Sequence, residues 1–229
     1  KGNITITGTG GAGAQQNDGI WIGNPATTIS AVDGDIALNG TGGNGTAGFS
    51  HGVYIYGGAT VKTTGTGSAA GNIAITGRGG DDATNAHGFA MEDANTVVQT
   101  TDGNITITGT GGTTAGGNSD GIYLITNPDI LSTGIGNISL TGIAGTGGGD
   151  FHTGAGTIDI GGATAQGNIT LTVNSTNMAV GNVQTTGNIQ IAPRSDATTV
   201  GVAGGAGALD ISVALLGMMN AGGTLTIGS

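Results

Sequence analysis

The sequence predicts an all-β protein, a right-handed parallel β-helix with three short strands per coil and about seven to eight coils. Three observations support this prediction. The stretch GNITITGTGG occurs at Gly2–Gly11 and again at Gly103–Gly112, and near-copies start mostly 31 to 37 residues apart. Short runs alternate apolar with polar residues and end in Gly, Asn, Asp or Pro, which is typical of strands. No window shows the apolar period of a helix.

The first strand of each coil follows a Gly-Asn-Ile or Gly-Asp-Ile start. Stacked coils lie about 4.8 Å apart, so equivalent residues form columns. One inward column is Ile4, Ile36, Ile73, Ile105, Ile138, Ile169, Ile189 and Leu225. Its neighbour is Ile6, Leu38, Ile75, Ile107, Leu140, Leu171, Ile191 and Ile227. The Asn before each Ile is expected at a corner, where Asn tolerates left-handed backbone and its amide can bond to the next amide in the column.

Two further strands complete each of the first four coils. The second strand spans 18–22 in the first coil, and its equivalents are 51–55, 87–91 and 120–124. The third strand centres on Ile29, Val61, Val97 and Ile130. A propeller is not favoured, because each of its blades needs four antiparallel strands and a period of roughly 40–50 residues.

The domain organisation follows from the repeats. Residues 1–229 are predicted to form a single β-solenoid, with regular coils of about 33 residues over 1–150 and less regular coils of the same solenoid over 151–229. The chain starts within one repeat and stops within another, as expected of a mature fragment or a piece of a longer array. Coil edges carry unpaired backbone groups and are expected to pair with further coils, in the same polypeptide or head to tail between subunits. Only Leu209–Met219 is apolar enough to suggest a cap.

Composition excludes several classes of partner. Of 229 residues, 52 are Gly, only 8% are charged, and four basic residues leave a net charge of −10. Nucleic acid and anionic membranes require basic surfaces, so neither is a predicted partner. Cysteine is absent, which excludes disulfides and thiolate metal sites. No apolar run approaches the ~20 residues of a membrane-spanning helix.

The repeat unit G-N-I-x-I-T-G and the ending TTVGVAGGAGALDISVALLGMMNAGGTLTIGS resemble the repeats of filamentous-haemagglutinin-like bacterial exoproteins. The resemblance covers nearly the whole chain. It implies a large secreted or cell-surface bacterial protein that acts as an adhesin or fibre, in a family whose members are often exported by a dedicated outer-membrane partner. The implied localisation is extracellular or at the bacterial cell surface.

An aromatic column is the first candidate interaction site. If Ile20 and Ile22 point inward, Trp21 points outward, and the same parity places Tyr54 and Tyr123 outward with Ala90 between them. Tyr56 lies on the same side as Tyr54. Such a face could stack on the sugar rings of host or matrix glycans, or pack laterally against a second fibre. The alternative is that a loop covers it.

A second candidate is the column Asp18, His51, His87 and Asp120, each placed just before the Gly of the second strand. Two His flanked by acids could bind a metal or respond to pH. The alternative, which we favour, is a corner position whose αL geometry suits Asp and His. No cofactor is predicted. Gly79–Asp82 and Gly147–Asp150 lack the strict period of calcium-binding repeats, so they do not predict a structural calcium site. Adventitious calcium at the surface stays open.

Outward Thr pairs on the first strand give a third candidate. They are Thr5/Thr7, Thr106/Thr108 and Thr170/Thr172, with Ser139/Thr141 similar. A flat Thr array would suit an ice-binding face, but Ala37/Asn39 and Ala74/Thr76 interrupt it, and Thr is a good exposed strand residue. Carboxylates are scattered, and Arg78 and Arg194 have no acidic partner at a matching position one coil away. We therefore predict a structural protein and not an enzyme.

Overall fold

The chain winds around one axis and contributes strands to three stacked parallel sheets. A computed structural model describes residues 2–45, 48–81, 84–113 and 117–228. Within these residues the strands of sheets A, B and C follow one another along the chain and pair with their equivalents in the next coil. Every pairing is parallel, so the predicted parallel β-helix with three strands per coil is confirmed.

Sheet A holds the Gly-Asn-Ile strands and has eight members among the described residues. They are β1 (Ile4–Thr9), β4 (Ile36–Thr41), β7 (Ile73–Arg78), β10 (Ile105–Thr110), β13 (Ile138–Ile143), β16 (Ile169–Thr172), β19 (Ile189–Ala192) and β23 (Leu225–Ile227). β1 and β23 form its two edges.

Sheets B and C hold the second and third strands of the coils. Sheet B contains β2 (Ile20–Ile22), β5 (Val53–Ile55), β8 (Phe89–Glu92), β11 (Ile122–Ile125), β14 (Phe151–Thr153) and β17 (Thr176–Met178). Sheet C contains β3 (Thr28–Ala31), β6 (Thr60–Thr63), β9 (Val97–Thr100), β12 (Asp129–Ser132), β15 (Asp159–Gly161), β18 (Asn182–Thr185) and β22 (Met219–Ala221).

The two inward columns of sheet A lie in register from end to end. Ile4 pairs with Ile36, Ile36 with Ile73, and the same alignment continues to Leu225. Between the end strands these side chains are at most 2% exposed, and they join Phe89 and Phe151 in one core. Burial of each side chain of this size contributes about 1.5–3 kcal/mol to the stability of the fold. Because the stacked side chains have nearly the same shape, they pack closely and fill the core.

The corner before sheet A is held by a ladder of side-chain hydrogen bonds. The side-chain oxygen of Asn72 accepts the backbone N–H of Asn104 at 2.9 Å, and Asn104 accepts that of Asn137 in the same way. The series runs from Asn3 to Thr224. The predicted amide contacts are thus present. The expectation of a left-handed backbone at this corner is wrong, because none of these Asn residues has a positive φ in the described part of the chain. Asn recurs at this corner because its side-chain oxygen accepts a backbone N–H of the next coil.

The third strand differs by one residue from the sequence prediction. Val61 pairs with Val98 and not with Val97, and Val98 in turn pairs with Ile130. Val98 is fully buried while Val97 is half-buried. Two adjacent Val residues leave the inward position ambiguous in a strand of period two, and the packed core resolves it.

Glycine forms a column where sheet A comes closest to the start of sheet B. The column is Gly8, Gly40, Gly77, Gly109 and Gly142. A Cβ on Gly109 would lie 2.0 Å from the carbonyl oxygen of Gly121, and a Cβ on Gly77 would lie 2.0 Å from that of Gly88. The two stretches of backbone pass too close for any side chain, which explains why Gly recurs at this position.

The later coils depart from the regular pattern in two places. Only residues 173–175 separate β16 from β17, whereas residues 10–19 separate β1 from β2, so the short step between Gly167 and Gly187 is a coil with a short loop. Residues 193–218 then form β20 (Val200–Val202), β21 (Leu209–Ile211) and α1 (Val213–Gly217). Leu209, Ile211 and Leu215 are buried in the common core. The apolar segment 209–219 therefore packs into the last full coil, and β23 lies beyond it in sheet A.

Candidate functional site

The outward face of sheet B carries the aromatic column. The strand register places Trp21 beside Tyr54, Tyr54 beside Ala90, and Ala90 beside Tyr123. His152 continues the column past Tyr123. Sequence reasoning missed His152, although its alternation with Phe151 and Thr153 in a strand would have placed it outward.

The rings of this face contact one another in an unbroken series. Trp21 and Tyr56 lie parallel at 5.5 Å between ring centroids, and Tyr56 stacks on Tyr54 at 5.0 Å. Tyr54 contacts His51, which stacks on His87 at 5.1 Å. The series ends with Tyr123 and His152. Among its members are the one Trp, all three Tyr and all three His of the chain, so these residue types are concentrated on one face.

Loops cover this face only in part. Trp21 is 61% exposed and Phe49 is 49% exposed, while the three Tyr side chains are half-buried. Phe49 comes from the loop before sheet B and contacts the edge of His51 at 6.1 Å. Its φ of 61° is left-handed, a conformation that costs a bulky residue energy. The aromatic face is therefore partly covered by loops and partly exposed to solvent, which lies between the two alternatives that the sequence left open.

The column Asp18, His51, His87 and Asp120 lies at the corner before sheet B. The backbone N–H of His51 donates to Asp18 Oδ1 at 2.7 Å, and that of His87 donates to His51 Nδ1 at 3.2 Å. Asp120 N–H donates to His87 Nδ1 at 3.0 Å, and Gly149 N–H donates to Asp120 Oδ1. Each side chain thus accepts the amide of the next coil, as the Asn ladder does.

This geometry corrects the αL explanation of the column. None of its four residues has a positive φ among the described residues. Asp and His occur at these positions because the side chain of each offers an acceptor to a backbone N–H of the next coil. Since Nδ1 of His51 is an acceptor, its neutral imidazole carries the proton on Nε2. Nδ1 of His87 accepts the amide of Asp120 and also lies 3.3 Å from Asp120 Oδ2. Metal coordination through Nε2 of His51 would need the proton to move to Nδ1 and would break the backbone bond.

Burial also disfavours the charged form of these imidazoles. Desolvation lowers the pKa of His51 from 6.5 to about 4. The pKa of His87 is lowered well below its usual value by desolvation and by the neighbouring His51 and His152. Within the described residues, no group of three His, Asp or Glu side chains is arranged to hold a metal ion.

Carboxylates lie along the rims of the aromatic face. The Tyr54 hydroxyl donates to Glu92 Oε2 at 2.9 Å. Burial and the nearby acids Glu92, Asp93 and Asp18 raise the pKa of Tyr54. Burial, Glu92 and Asp120 raise the pKa of Tyr123. Asp120 Oδ2 lies 3.1 Å from His152 Nδ1. Sequence reasoning missed Glu92, because its strand gave no reason to relate it to a Tyr one coil earlier.

The remaining candidate acids have structural contacts. Asp81 Oδ1 accepts from the hydroxyl of Thr113 and lies 3.8 Å from Arg78 Nη2. Asp150 is buried, accepts backbone amides of Ala144 and Asn174, and lies 3.5 Å from Arg194 Nη2. Both Arg residues thus have acidic neighbours that comparison of adjacent coils did not reveal. Asp82 of the first calcium candidate lies outside the described residues.

The Thr candidates occupy the outward columns of sheet A. Thr5 pairs with Ala37, and Thr106 pairs with Ala74 on one side and Ser139 on the other. Thr170 pairs with Gln190. The Thr array is therefore interrupted by Ala and Gln, and it lies on a different sheet from the aromatic face.

Comparisons with known proteins add no relative: no family model, curated protein or solved structure matches the chain. No helix in the described residues is long and apolar enough to cross a membrane.

Proposed function

We propose that the protein is a structural, non-catalytic β-solenoid that serves as a fibre subunit or adhesin stalk and stacks end to end through its exposed coil edges. Its place would be extracellular or at the bacterial cell surface, as the resemblance of its repeats to filamentous-haemagglutinin-like exoproteins implies. The observation that carries the proposal is the geometry of the two edges of sheet A, which match each other in side chains and in backbone parity.

The side chains at the two edges belong to the same inward columns. Ile4 and Ile6 at β1, and Leu225 and Ile227 at β23, are half-buried, whereas their equivalents in the coils between are almost fully buried. A second copy stacked on the chain would place Ile4 over Leu225 and Ile6 over Ile227. The hydrophobic columns would then continue across the junction, and each contact would remove apolar surface from water.

The unpaired backbone N–H and C=O groups at the two edges of sheet A are also complementary in position. Ile4 N–H donates to Asp35 in the second coil, so the N–H and C=O of Thr5 face the opposite, outer edge. At the other end, Gly228 N–H donates to Ile191 and Ile189 N–H donates to Thr224, so Leu225 and Ile227 face outward. If a second copy docks in the register of the existing coils, the outward N–H of Thr5 lies opposite the carbonyl of Leu225, and the outward carbonyl of Thr5 lies opposite the N–H of Ile227.

Blocking the outer edge of β1 tests this proposal. We expect the purified protein to form elongated particles that lengthen with concentration, from single rods of roughly 35 Å upward. Thr5→Pro removes the outward N–H without touching a bond to β4, and should leave single rods. Thr5→Val keeps that N–H and should assemble like the unchanged protein. Negative-stain microscopy and sedimentation velocity measure both.

Two results would contradict end-to-end stacking. One is an unchanged protein that stays a single rod at all concentrations. The other is a Thr5→Pro variant that assembles as well as Thr5→Val while its circular dichroism shows that the fold is intact.

Glycan binding by Trp21, Tyr54, Tyr56 and Tyr123 is a second candidate function. The parallel rings of Trp21 and Tyr56, inclined by 2°, favour it because flat aromatic surfaces stack on sugar rings. The probes described below separate this role from binding of a charged ligand.

A further inference from the structure

The loops before sheet B and the outward face of sheet B enclose a cleft of about 260 Å³, which we call the aromatic cleft. It is lined by Asp18, Trp21, Phe49, His51, Tyr54 and Glu92. We propose that the aromatic cleft binds a small organic cation, such as a quaternary ammonium group. This inference concerns the side of the rod and is independent of stacking at its ends.

The rings supply the first part of the binding chemistry. Trp21, Phe49 and Tyr54 contribute aromatic surface from two successive coils, and the contacts of Tyr54 with Tyr56 and His51 hold it in place. An aromatic face carries partial negative charge and attracts a cation within about 6 Å of its centroid. The volume is below the roughly 300–1,000 Å³ of sites for drug-sized ligands. A small head group therefore fits better than an extended molecule.

The charges of the cleft supply the second part. Both charged residues that line it, Asp18 and Glu92, are acids, and no Lys or Arg is among its described lining residues. His51 adds no positive charge, because its Nδ1 accepts the amide of His87. The carboxylates and the aromatic faces thus favour a cation together, and they would repel a phosphate, a sulfate or an acidic sugar.

Hydrogen bonds hold both acids in place beside the aromatic rings. Asp18 accepts the backbone amide of His51 at 2.7 Å, and Glu92 accepts the hydroxyl of Tyr54 at 2.9 Å. Both side chains are half-buried, so part of each stays accessible to a ligand.

The single Trp of the chain makes the test direct, because Trp21 lines the cleft and its fluorescence reports occupancy. Choline is titrated against the Thr5→Pro variant, which keeps the rods separate. The neutral carbon analogue of choline and methyl β-glucoside are titrated in parallel. We expect saturable quenching by choline, binding by the carbon analogue weaker by roughly fivefold, and weaker choline binding at high salt.

A charge-only substitution completes the test. Glu92→Gln keeps an acceptor for the Tyr54 hydroxyl, removes the charge, and should weaken choline binding roughly fivefold. Asp159→Asn removes the same charge from sheet C and should leave binding unchanged. Equal binding of choline and its carbon analogue, saturation by the glucoside alone, no saturable response, or an unaffected Glu92→Gln variant would each overturn the proposal. Saturation by the glucoside alone would support glycan binding instead.

Discussion

Replacing Gly109 with Ala is expected to lower the free energy of unfolding by at least about 3 kcal/mol. The new Cβ would meet the carbonyl oxygen of Gly121 at 2.0 Å and the amide nitrogen of Phe89 at 3.1 Å. These two backbone atoms form one hydrogen bond between adjacent coils, in which the Phe89 N–H donates to the Gly121 carbonyl at 3.0 Å. Neither atom can therefore move without disturbing the coils above and below. The same close approach recurs at Gly77 and Gly142 in the adjacent coils. The backbone at Gly109 therefore cannot shift toward either coil to make room for the Cβ.

Gly217→Ala is the matched control for this change. Gly217 ends α1, and a Cβ there would have no heavy atom within 4 Å. Ala is a better helix former than Gly, so this variant should be as stable as the unchanged protein or up to about 1 kcal/mol more stable. Urea unfolding followed by circular dichroism measures both variants. Equal urea midpoints for Gly109→Ala and the unchanged protein would refute the close approach of the two strands.

Acidification from pH 7 to pH 5 is expected to destabilise the protein through the buried His column. The pKa of His51 is about 4 in the folded protein and 6.5 in the unfolded chain. Above pH 6.5 neither state binds the proton. Below it the unfolded chain binds a proton that the folded protein does not, so stability falls until the pH reaches the folded pKa. His51 alone should cost about 2 kcal/mol by pH 5, and the lowered pKa of His87 acts in the same direction.

The groups that face these two imidazoles define the pH window. They are Asp18, Asp120, Glu92, His152, Tyr54 and Tyr123. Burial raises the pKa values of both Tyr hydroxyls, so neither group titrates between pH 7 and pH 5. Between pH 7 and pH 5 the loss of stability should therefore come mainly from histidine protonation.

His51→Asn isolates this effect. An Asn oxygen can accept the amide of His87, as Asn72 accepts that of Asn104 at the neighbouring corner. The variant should therefore fold and lose part of its dependence on pH. The measurement is the urea midpoint at pH 7 and pH 5. A variant that loses as much stability over this interval as the unchanged protein would show that His51 is not responsible.

The sequence predicted the columns of sheet A because one short residue pattern meets three requirements of every coil: core packing, hydrogen bonding to the next coil, and close approach to the preceding coil. In Gly103-Asn104-Ile105, Ile fills the core, Asn bonds along the axis, and Gly lies against the preceding coil, where a Cβ would meet the carbonyl oxygen of Gly71 at 1.8 Å. Where two residues met the same demand, as with Val97 and Val98, the prediction slipped by one position. Residues 193–218 offered no repeat to align, and their strands could not be placed.

The candidate site was predicted as columns but not as a cleft. Strand parity was enough to place Trp21, Tyr54 and Tyr123 on one face. The positions of Phe49 and Glu92 depend on how side chains from adjacent coils pack, which no repeat pattern encodes. The His column was found, but its cause was misjudged, because a bond from Nδ1 to an amide in the next coil is visible only once the coils are stacked.

Equivalent residues of successive coils lie directly above one another along a single axis. Pulsed electron spin resonance tests it directly, because the chain has no cysteine of its own. Spin labels are attached to cysteines placed at Ala37 and at Ser139, Thr170 or Gln190, which the register puts three, four and five coils away. The labelled protein is diluted with unlabelled protein.

Axial stacking predicts distances that grow by one coil spacing of about 4.8 Å at each step, near 14, 19 and 24 Å between backbones. The step from Thr170 to Gln190 should equal the others although it spans fewer residues. Distances that follow sequence separation, or that do not rise in equal steps, would contradict the axial stacking on which the proposed function depends.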